Sequence, residues 1–179
     1  MTQRHFEQQG VFHVTTNAKH KILWLIWKNI PETLIDNLQM TRNIQKAEVY
    51  AFCILPDHMH VIVRPGEKGL SAFMHSFKRN AMKDIRSFRS GRSRSSATER
   101  RTDIVQIMHE PPLRNGESPI ALEWQKGFHD ERIESADQLE NTLAYVRCNA
   151  WRHGLVEAPQ DWPWSSIHFP FIVDPVEIW

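Results

Sequence analysis

Two apolar segments separated by a Pro-Asp pair constrain the fold of this chain more than any other feature. Residues 47–55, AEVYAFCIL, and residues 58–64, HMHVIVR, are rich in the β-branched and aromatic residues that favour strands. Pro56-Asp57 between them is a turn signal, and Pro65-Gly66 ends the second segment. The chain therefore contains two consecutive strands, and the first of them is expected to be central and buried.

Helical and extended patterns flank these two strands. Residues 10–16, GVFHVTT, predict a first strand, and residues 31–46 predict a helix that has Pro31 in its first turn. Between residues 70 and 88, apolar side chains recur every three or four positions, and the other side of this predicted helix is basic. Strands and helices therefore alternate in the first half of the chain.

The second half contains one clearly bounded helix. Ser135 begins a capping-box pattern, and Gly154 suits the position just beyond a helix end. Residues 90–119 are rich in serine, arginine and proline and predict a flexible insertion, with a short strand at Ile104–Met108. The order of elements predicts an α+β protein with an antiparallel sheet and helices on one face. A fourth strand is expected in the insertion or near Trp124.

The composition is typical of a globular domain without a membrane span. Hydrophobic residues make up 41% and charged residues 24% of the 179 residues, and no apolar run approaches the length of a membrane helix. Two cysteines do not make a disulfide framework, so a reduced cytoplasmic location is expected. The net charge is only +1, but nine Lys/Arg and two acids lie between Lys78 and Arg101. That run indicates either a solvated helix face or a surface that contacts phosphates.

A His-x-His pattern opens the second apolar segment. Side chains on a strand alternate between faces, so His58 and His60 point the same way and Met59 points to the opposite face. Two imidazoles on one face can share a metal ion. Packing or hydrogen bonding is the alternative role for such a pair.

A tyrosine and an asparagine one turn apart lie in the last predicted helix. Tyr145 and Asn149 flank the apolar stripe of this helix rather than its middle. The amide oxygen of Asn149 could join His58 and His60 around a hard cation, and Tyr145 could then attack a phosphorus atom as a covalent nucleophile. Taken alone, the spacing is also compatible with a chance pair, or with a hydrolase in which water replaces the tyrosine.

Four segments together resemble the REP-associated tyrosine transposases, a branch of the single-tyrosine HUH transposases that act on single-stranded DNA. Their order and spacing match over about residues 45–89 and 122–166. The segments are Leu55-Pro-Asp-His-Met-His-Val-Ile-Val63, Trp124-Gln-Lys-Gly-Phe-His-Asp130, Ala144-Tyr-Val-Arg-Cys-Asn149 with Arg152-His-Gly-Leu-Val156, and Asp161-Trp-Pro-Trp-Ser-Ser166. Two departures are that Ala150-Trp151 stands where much of the family has Pro-Val, and that the 90–119 insertion is long.

The resemblance implies a ferredoxin-like fold of the HUH nuclease type and assigns roles by position. His58, His60 and Asn149 are expected to hold Mg²⁺ or Mn²⁺, and Tyr145 is the expected nucleophile. The implied activity is nicking of single-stranded DNA near REP-type hairpins through a 5′-phosphotyrosine intermediate, with rejoining of strands. The protein would work in the bacterial cytoplasm, on nucleoid DNA, as a monomer or a homodimer.

Further expectations concern DNA contacts and domain limits. The candidate DNA-binding residues are Lys78, Arg79, Lys83, Arg86 and Arg152. Residues 1–166 are expected to form the transposase domain, including the insertion, and residues 167–179 a tail that packs on it. The alternative function is a hairpin DNA-binding protein of the same fold that does not cleave.

Overall fold

Four strands form the central sheet of this protein, described here by a computed structural model covering residues 9–90 and 121–176. The strands are β1 (Val11–Asn17), β2 (Glu48–Ile54), β3 (His58–Arg64) and β4 (His129–Ile133). The α-helices are α1 (Ile30–Gln45), α2 (Gly69–Arg89), α3 (Ala136–Arg147) and α4 (Asn149–Arg152). Short 3₁₀ turns lie at Lys19–Lys21, Trp24–Ile26, Pro159–Asp161 and Ser166–His168. Among these described helices, none is long and apolar enough to cross a membrane.

The sheet has the strand order β2-β3-β1-β4, and every neighbouring pair is antiparallel. Strands and helices follow one another as β1-α1-β2-β3-α2-β4, which together with this strand order is the ferredoxin-like arrangement. The predicted α+β fold with an antiparallel sheet is therefore confirmed. The fourth strand is β4, which begins five residues after Trp124. The insertion and the strand predicted at Ile104–Met108 lie outside the described residues.

The β2-β3 hairpin forms because Pro56-Asp57 favours a turn within the three residues that separate the strands. The Leu55 N–H donates to the His58 carbonyl at 2.8 Å, which closes the turn. His60 then pairs with Cys53 of β2 on one side and with Thr15 of β1 on the other. The register places His60 in the middle of the sheet, between two hydrogen-bonded neighbours.

The two faces of the sheet have different chemistry. Val14, Met59 and Val61 are fully buried on one face, and the α1 and α2 helices, which pack on each other, supply the apolar cover for it. The other face, named here the histidine face, carries His13 and Thr15 of β1 with His58 and His60 of β3. Helix α3 contacts β2 and β3 and lies on the histidine face, because Tyr145 of α3 touches the His60 ring. Helix α3, which carries Tyr145, therefore packs on the face of the sheet opposite α1 and α2.

The predicted capping residue begins α3. The Ser135 side chain accepts a bond from the Gln138 N–H, and the Gln138 side chain accepts one from the Glu134 N–H. The position of Gly154 predicts a helix that extends past Asn149, and helical structure does reach Arg152. It is interrupted once, because α3 ends at Arg147 and α4 begins after an irregular Cys148 with φ −90° and ψ 5°. Hydrogen bonds between residues four apart nevertheless continue on both sides of the break, so the chain keeps its helical direction.

The C-terminal segment covers the outer edge of β2. The Trp162 indole N–H donates to the Ile54 carbonyl at 2.8 Å, and the Ile54 N–H donates to the Trp164 carbonyl at 3.0 Å. Further on, the Asp174 carboxylate accepts bonds from the Arg42 guanidinium and from the Val49 N–H. These contacts occupy an edge that would otherwise be open to pairing with another chain. The expected domain limit at residues 166 and 167 stays a prediction.

The Asp174 contacts predict a pH-dependent contribution to stability. Burial raises the pKa of Asp174, but the bonds from Arg42 and Val49 outweigh it and hold that pKa below the usual 3.8. A lowered carboxyl pKa contributes stability that is present above about pH 3.8 and is lost as the pH falls further. We expect Asp174→Asn to lower the free energy of unfolding by about 1–3 kcal/mol at about pH 7 and by much less at about pH 3.

Urea unfolding of the wild type and of the variant at both pH values measures this difference. Glu157→Gln, which neutralises an exposed carboxyl group, is the control and should change the unfolding free energy little at either pH. A difference of the same size at both pH values would contradict the assignment of the effect to the ionised carboxylate.

Candidate active site

The residues predicted to carry the chemistry come together on the histidine face. The His58 and His60 rings lie 5.0 Å apart between centroids and are nearly perpendicular, at 88°. The Tyr145 ring lies 5.6 Å from the His60 ring at 77°. Strand β3 supplies both imidazoles and helix α3 supplies the phenol, so the group depends on the packing of these two elements.

His60 is the most enclosed member of the group. Its side chain is only 5% exposed, and its Nδ1 lies 3.1 Å from His13 Nε2 and 3.0 Å from Thr15 Oγ1. Its Nε2 is buried and has no hydrogen-bond partner among the described residues. Burial lowers the pKa of His60 to about 3, and the neighbouring imidazoles of His58, His13 and His153 act in the same direction. His60 is therefore neutral at physiological pH, the form in which an imidazole binds a metal.

His58 is held by a carboxylate. Its Nδ1 lies 2.6 Å from the Asp57 carboxylate, which also lies 3.2 Å from the Lys21 ammonium. Burial raises the pKa of Asp57, but the bonds to His58 and Lys21 outweigh it and keep that pKa below its usual value. An ionised carboxylate on Nδ1 orients the imidazole and leaves Nε2 for another partner, as in many metal sites.

Asn149 lies between two residues that touch the histidines. Tyr145 precedes it by four positions and contacts the His60 ring, while His153 follows it by four and lies 5.7 Å from the His58 ring. Residues spaced by four share one side of a helix, so Asn149 lies on the side of the helix that faces the two histidines. It is fully buried, and neither Oδ1 nor Nδ2 has a hydrogen-bond partner within the described part of the chain.

These buried polar atoms fit a divalent cation. Across residues 9–90 and 121–176, no group of three or more His, Cys, Asp or Glu side chains is arranged to hold a metal ion. A metal held by the two histidines would therefore need a third ligand of another type, and the amide oxygen of Asn149 is the one predicted. A cation would satisfy His60 Nε2 and Asn149 Oδ1, which are otherwise costly to bury without partners.

Tyr145 is the accessible member of the group. It is 37% exposed and lines a cavity of about 620 Å³ together with His13, Glu131 and Asn141. The Arg152 guanidinium carbon lies 5.4 Å from the centre of the Tyr145 ring. A large substrate can thus reach the phenol from solvent, and a positive charge lies beside it.

The predicted DNA contacts divide into two separate groups. Arg152 is beside Tyr145, whereas Lys78, Arg79, Lys83 and Arg86 lie on α2, which belongs to the layer on the other face of the sheet. Arg79, Lys83 and Arg86 are exposed. Lys78 differs from them, because its ammonium donates to the carbonyls of Gln125 and Gly127 at 2.9 and 2.7 Å. The structure gives Lys78 an internal role, and its contact with DNA stays a prediction.

A matched pair of lysine variants tests this internal role. Burial lowers the pKa of Lys78 to about 8, yet its ammonium joins α2 to the segment before β4 and lies 5.6 Å from the Trp124 ring. We expect Lys78→Ala to lower the free energy of unfolding by about 1–3 kcal/mol, because two carbonyls lose their charged donor. Lys83→Ala, on the exposed side of the same helix, should change it by less than about 0.5 kcal/mol. Equal unfolding energies for the two variants in urea would show that the Lys78 bonds do not stabilise the fold.

Four residues of the site were not expected from the sequence. In the sequence, Asp57 belongs to a turn signal and His153 directly precedes Gly154 at a helix end, and neither pattern indicates a place in the site. His13 and Thr15 are spaced by two in the GVFHVTT strand, which places them on one face. That periodicity was an available signal, but the sequence does not say that β1 lies beside β3.

Comparisons with known proteins agree in both sequence and fold. A Haemophilus influenzae protein with the provisional name REP-associated tyrosine transposase is 30% identical over 127 residues, which cover 68% of this chain and 59% of that protein. The REP-associated tyrosine transposase of Escherichia coli is 21% identical over 168 residues, or 93% of this chain and 81% of the relative. No family model matches.

A solved structure shares the fold over the whole length. It shows a REP-associated tyrosine transposase bound to a REP hairpin, and it matches with a TM-score of 0.64 at 19% identity, covering 100% of this chain and 93% of that one. This chain spans less than two thirds of the Haemophilus influenzae relative. The sequence matches confirm the resemblance seen in the motifs, and the structural match confirms the fold. In sequence this chain is similar to REP-associated tyrosine transposases, and in fold it matches the solved structure of one of them.

Proposed function

We propose that this protein is a metal-dependent transposase that nicks single-stranded DNA beside REP-type hairpins and can rejoin the strands. The observation that carries the proposal is the position of Tyr145, an accessible phenol whose ring contacts His60 while Arg152 lies over it. The names of two relatives and the hairpin in the matching structure support the choice of activity and substrate.

The metal would be held by His58, His60 and Asn149. A bound Mg²⁺ or Mn²⁺ would polarise the scissile phosphate and stabilise negative charge on the leaving oxygen. The chain itself orients the two imidazoles through Asp57 and through the His13–Thr15 pair. The burial of His60 keeps water from competing for its Nε2.

Tyr145 would carry the covalent step. Its phenolic oxygen attacks the phosphorus, the phosphorus–O3′ bond breaks, and the phenolic proton is released. The products are a 5′-phosphotyrosine on one strand end and a free 3′-hydroxyl on the other. Because the bond energy is retained in the phosphotyrosine, a 3′-hydroxyl can attack it and restore a DNA strand.

Two basic regions would hold the DNA. Arg152 would contact a phosphate bound beside Tyr145, which is supported by the cation-π position of its guanidinium 5.4 Å from the centre of the Tyr145 ring. The exposed Arg79, Lys83 and Arg86 of α2 lie on the other face of the sheet and would contact phosphates further along the hairpin. DNA that contacts both regions must therefore pass around an edge of the sheet.

An end-labelled oligonucleotide tests the proposal. A single-stranded REP-type hairpin with a flanking single strand is incubated with the protein and Mn²⁺ or Mg²⁺, then resolved on a denaturing gel. A 3′ label should move to the protein as a covalent adduct, whereas a 5′ label should remain on a free shortened fragment. Chelation of the metal, or use of a fully paired duplex, should abolish both products.

Other results of the same assay identify the alternatives. Salt-dependent hairpin binding without an adduct in either metal would indicate the non-cleaving DNA-binding protein. Shortened DNA with a free 5′-phosphate and no adduct would indicate a hydrolase that uses water instead of Tyr145. Either outcome would overturn the proposed tyrosine mechanism.

A further inference from the structure

We infer that His13 and Thr15 on β1 are positioning residues that hold the proton of His60 on Nδ1 and so direct its Nε2 at the metal. This inference rests on the proposed metal site. It concerns two residues outside the motifs that carry the family resemblance, and it gives each of them a function through His60 rather than through direct contact with substrate.

The geometry places both residues on the same atom. Thr15 is the direct register partner of His60 across the β1–β3 pair, and His13 lies two residues earlier on the same face. Thr15 Oγ1 is 3.0 Å from His60 Nδ1, and His13 Nε2 is 3.1 Å from it. The His13 and His60 rings are stacked, with centroids 5.1 Å apart at 30°. His60 thus has two polar partners on one nitrogen and none among the described residues on the other.

The two possible tautomers of neutral His60 have opposite consequences. With the proton on Nδ1, His60 donates to Thr15 Oγ1 or His13 Nε2, and the lone pair of Nε2 is available to a cation. With the proton on Nε2, His60 cannot bind a metal through that atom. It would also bury an N–H without an acceptor in the described structure, a situation that is rare in proteins.

The hydroxyl and the imidazole are both able to accept the proton that the first tautomer places on Nδ1, and the lack of an acceptor at Nε2 is what favours this tautomer. Thr15 can turn its own proton away from His60, and His13 can carry its proton on Nδ1 and present a lone pair at Nε2. An imidazole that binds a metal nearly always donates its other N–H to a fixed partner of this kind. Asp57 occupies the corresponding position on His58, so both histidines are held through Nδ1.

His13 also reaches the nucleophile. Its ring lies 5.8 Å from the Tyr145 ring at 74°, in an edge contact. One side chain of β1 therefore touches both a proposed metal ligand and the proposed attacking residue. A substitution that keeps the ring but removes its nitrogens separates the hydrogen bond from this packing contact.

Metal affinity is the first test, measured by titration of full-length metal-free protein with Mn²⁺ in a calorimeter. We expect His13→Phe and Thr15→Val each to raise the dissociation constant for Mn²⁺, and the double variant to raise it by roughly 10-fold to 100-fold. His13→Gln keeps an acceptor and should restore part of the affinity. His75→Phe, an exposed histidine on α2, is the control and should bind Mn²⁺ like the wild type. Unchanged affinity in the double variant would overturn the inference.

The second test needs no metal and no DNA. Nitrogen-15 NMR of the His60 ring in the metal-free protein distinguishes the two tautomers directly. We expect the proton on Nδ1 in the wild type and a mixture in the His13→Phe, Thr15→Val variant. A wild-type proton on Nε2 would overturn the inference. If the wild type shows the Nδ1 proton but binds no Mn²⁺, the metal site fails while the positioning of His60 stands.

Discussion

Replacing Tyr145 with phenylalanine removes the covalent protein–DNA adduct and leaves hairpin binding unchanged. The substitution takes away only the hydroxyl, so the ring contacts with His60, His13 and Arg152 remain. Because the proposed nucleophile has no substitute, we expect adduct formation to fall by at least about 1,000-fold. The measurement is the rate at which a 3′-labelled hairpin oligonucleotide becomes attached to the protein in Mn²⁺, with hairpin affinity measured in parallel.

The second tyrosine of the chain provides the matched control. Tyr50 is buried in β2, its hydroxyl donates to the Glu48 carboxylate, and the residues on either side of it pair with Val63 and Ile62, beyond the two histidines of β3. Tyr50→Phe should therefore keep the adduct, with at most a loss of stability from the missing bond. An adduct that persists in Tyr145→Phe and disappears in Tyr50→Phe would show that Tyr145 is not the nucleophile.

Replacing Asn149 with leucine should stabilise the metal-free protein and abolish its response to metal. Asn149 is fully buried, and its amide atoms have no partner within the residues the structure describes. An apolar side chain of similar branching removes that cost, so we expect the free energy of unfolding to rise by about 1–2 kcal/mol in a chelator. The wild type should gain about 2.7 kcal/mol when Mn²⁺ is at a hundredfold its dissociation constant, and the variant should gain almost none.

Urea unfolding with and without Mn²⁺ measures both parts of this prediction. The control is Asn37→Leu at another buried asparagine, whose amide N–H groups donate to the Thr33 carbonyl within α1 and to the Asp84 carboxylate of α2. That variant should lose stability, because it breaks two bonds, and should keep the gain from Mn²⁺. A destabilised Asn149→Leu protein that still responds to Mn²⁺ would mean that the amide has a structural role and is not a ligand.

Local patterns were enough to predict most of the elements. The β2-β3 hairpin, the cap at Ser135 and the end of α4 just before Gly154 follow from short-range preferences of turns, caps and apolar spacing. The same spacing placed His58 and His60 on one face, because side chains alternate along any strand. It also placed Tyr145 and Asn149 on one side of a helix, although the apolar spacing does not indicate the irregular residue at Cys148.

Long-range pairing decided what surrounds those residues. His13 and Thr15 reach His60 only because β1 pairs with β3 in the sheet. That pairing joins segments more than forty residues apart in the sequence. The sequence predicts the same role for Lys78 as for its basic neighbours on α2, but in the structure its ammonium donates to two backbone carbonyls of the segment before β4. The sequence alone determined which side chains could act, since that depends on local periodicity. The tertiary structure decided their partners, since strand order and helix packing depend on the burial of the whole core.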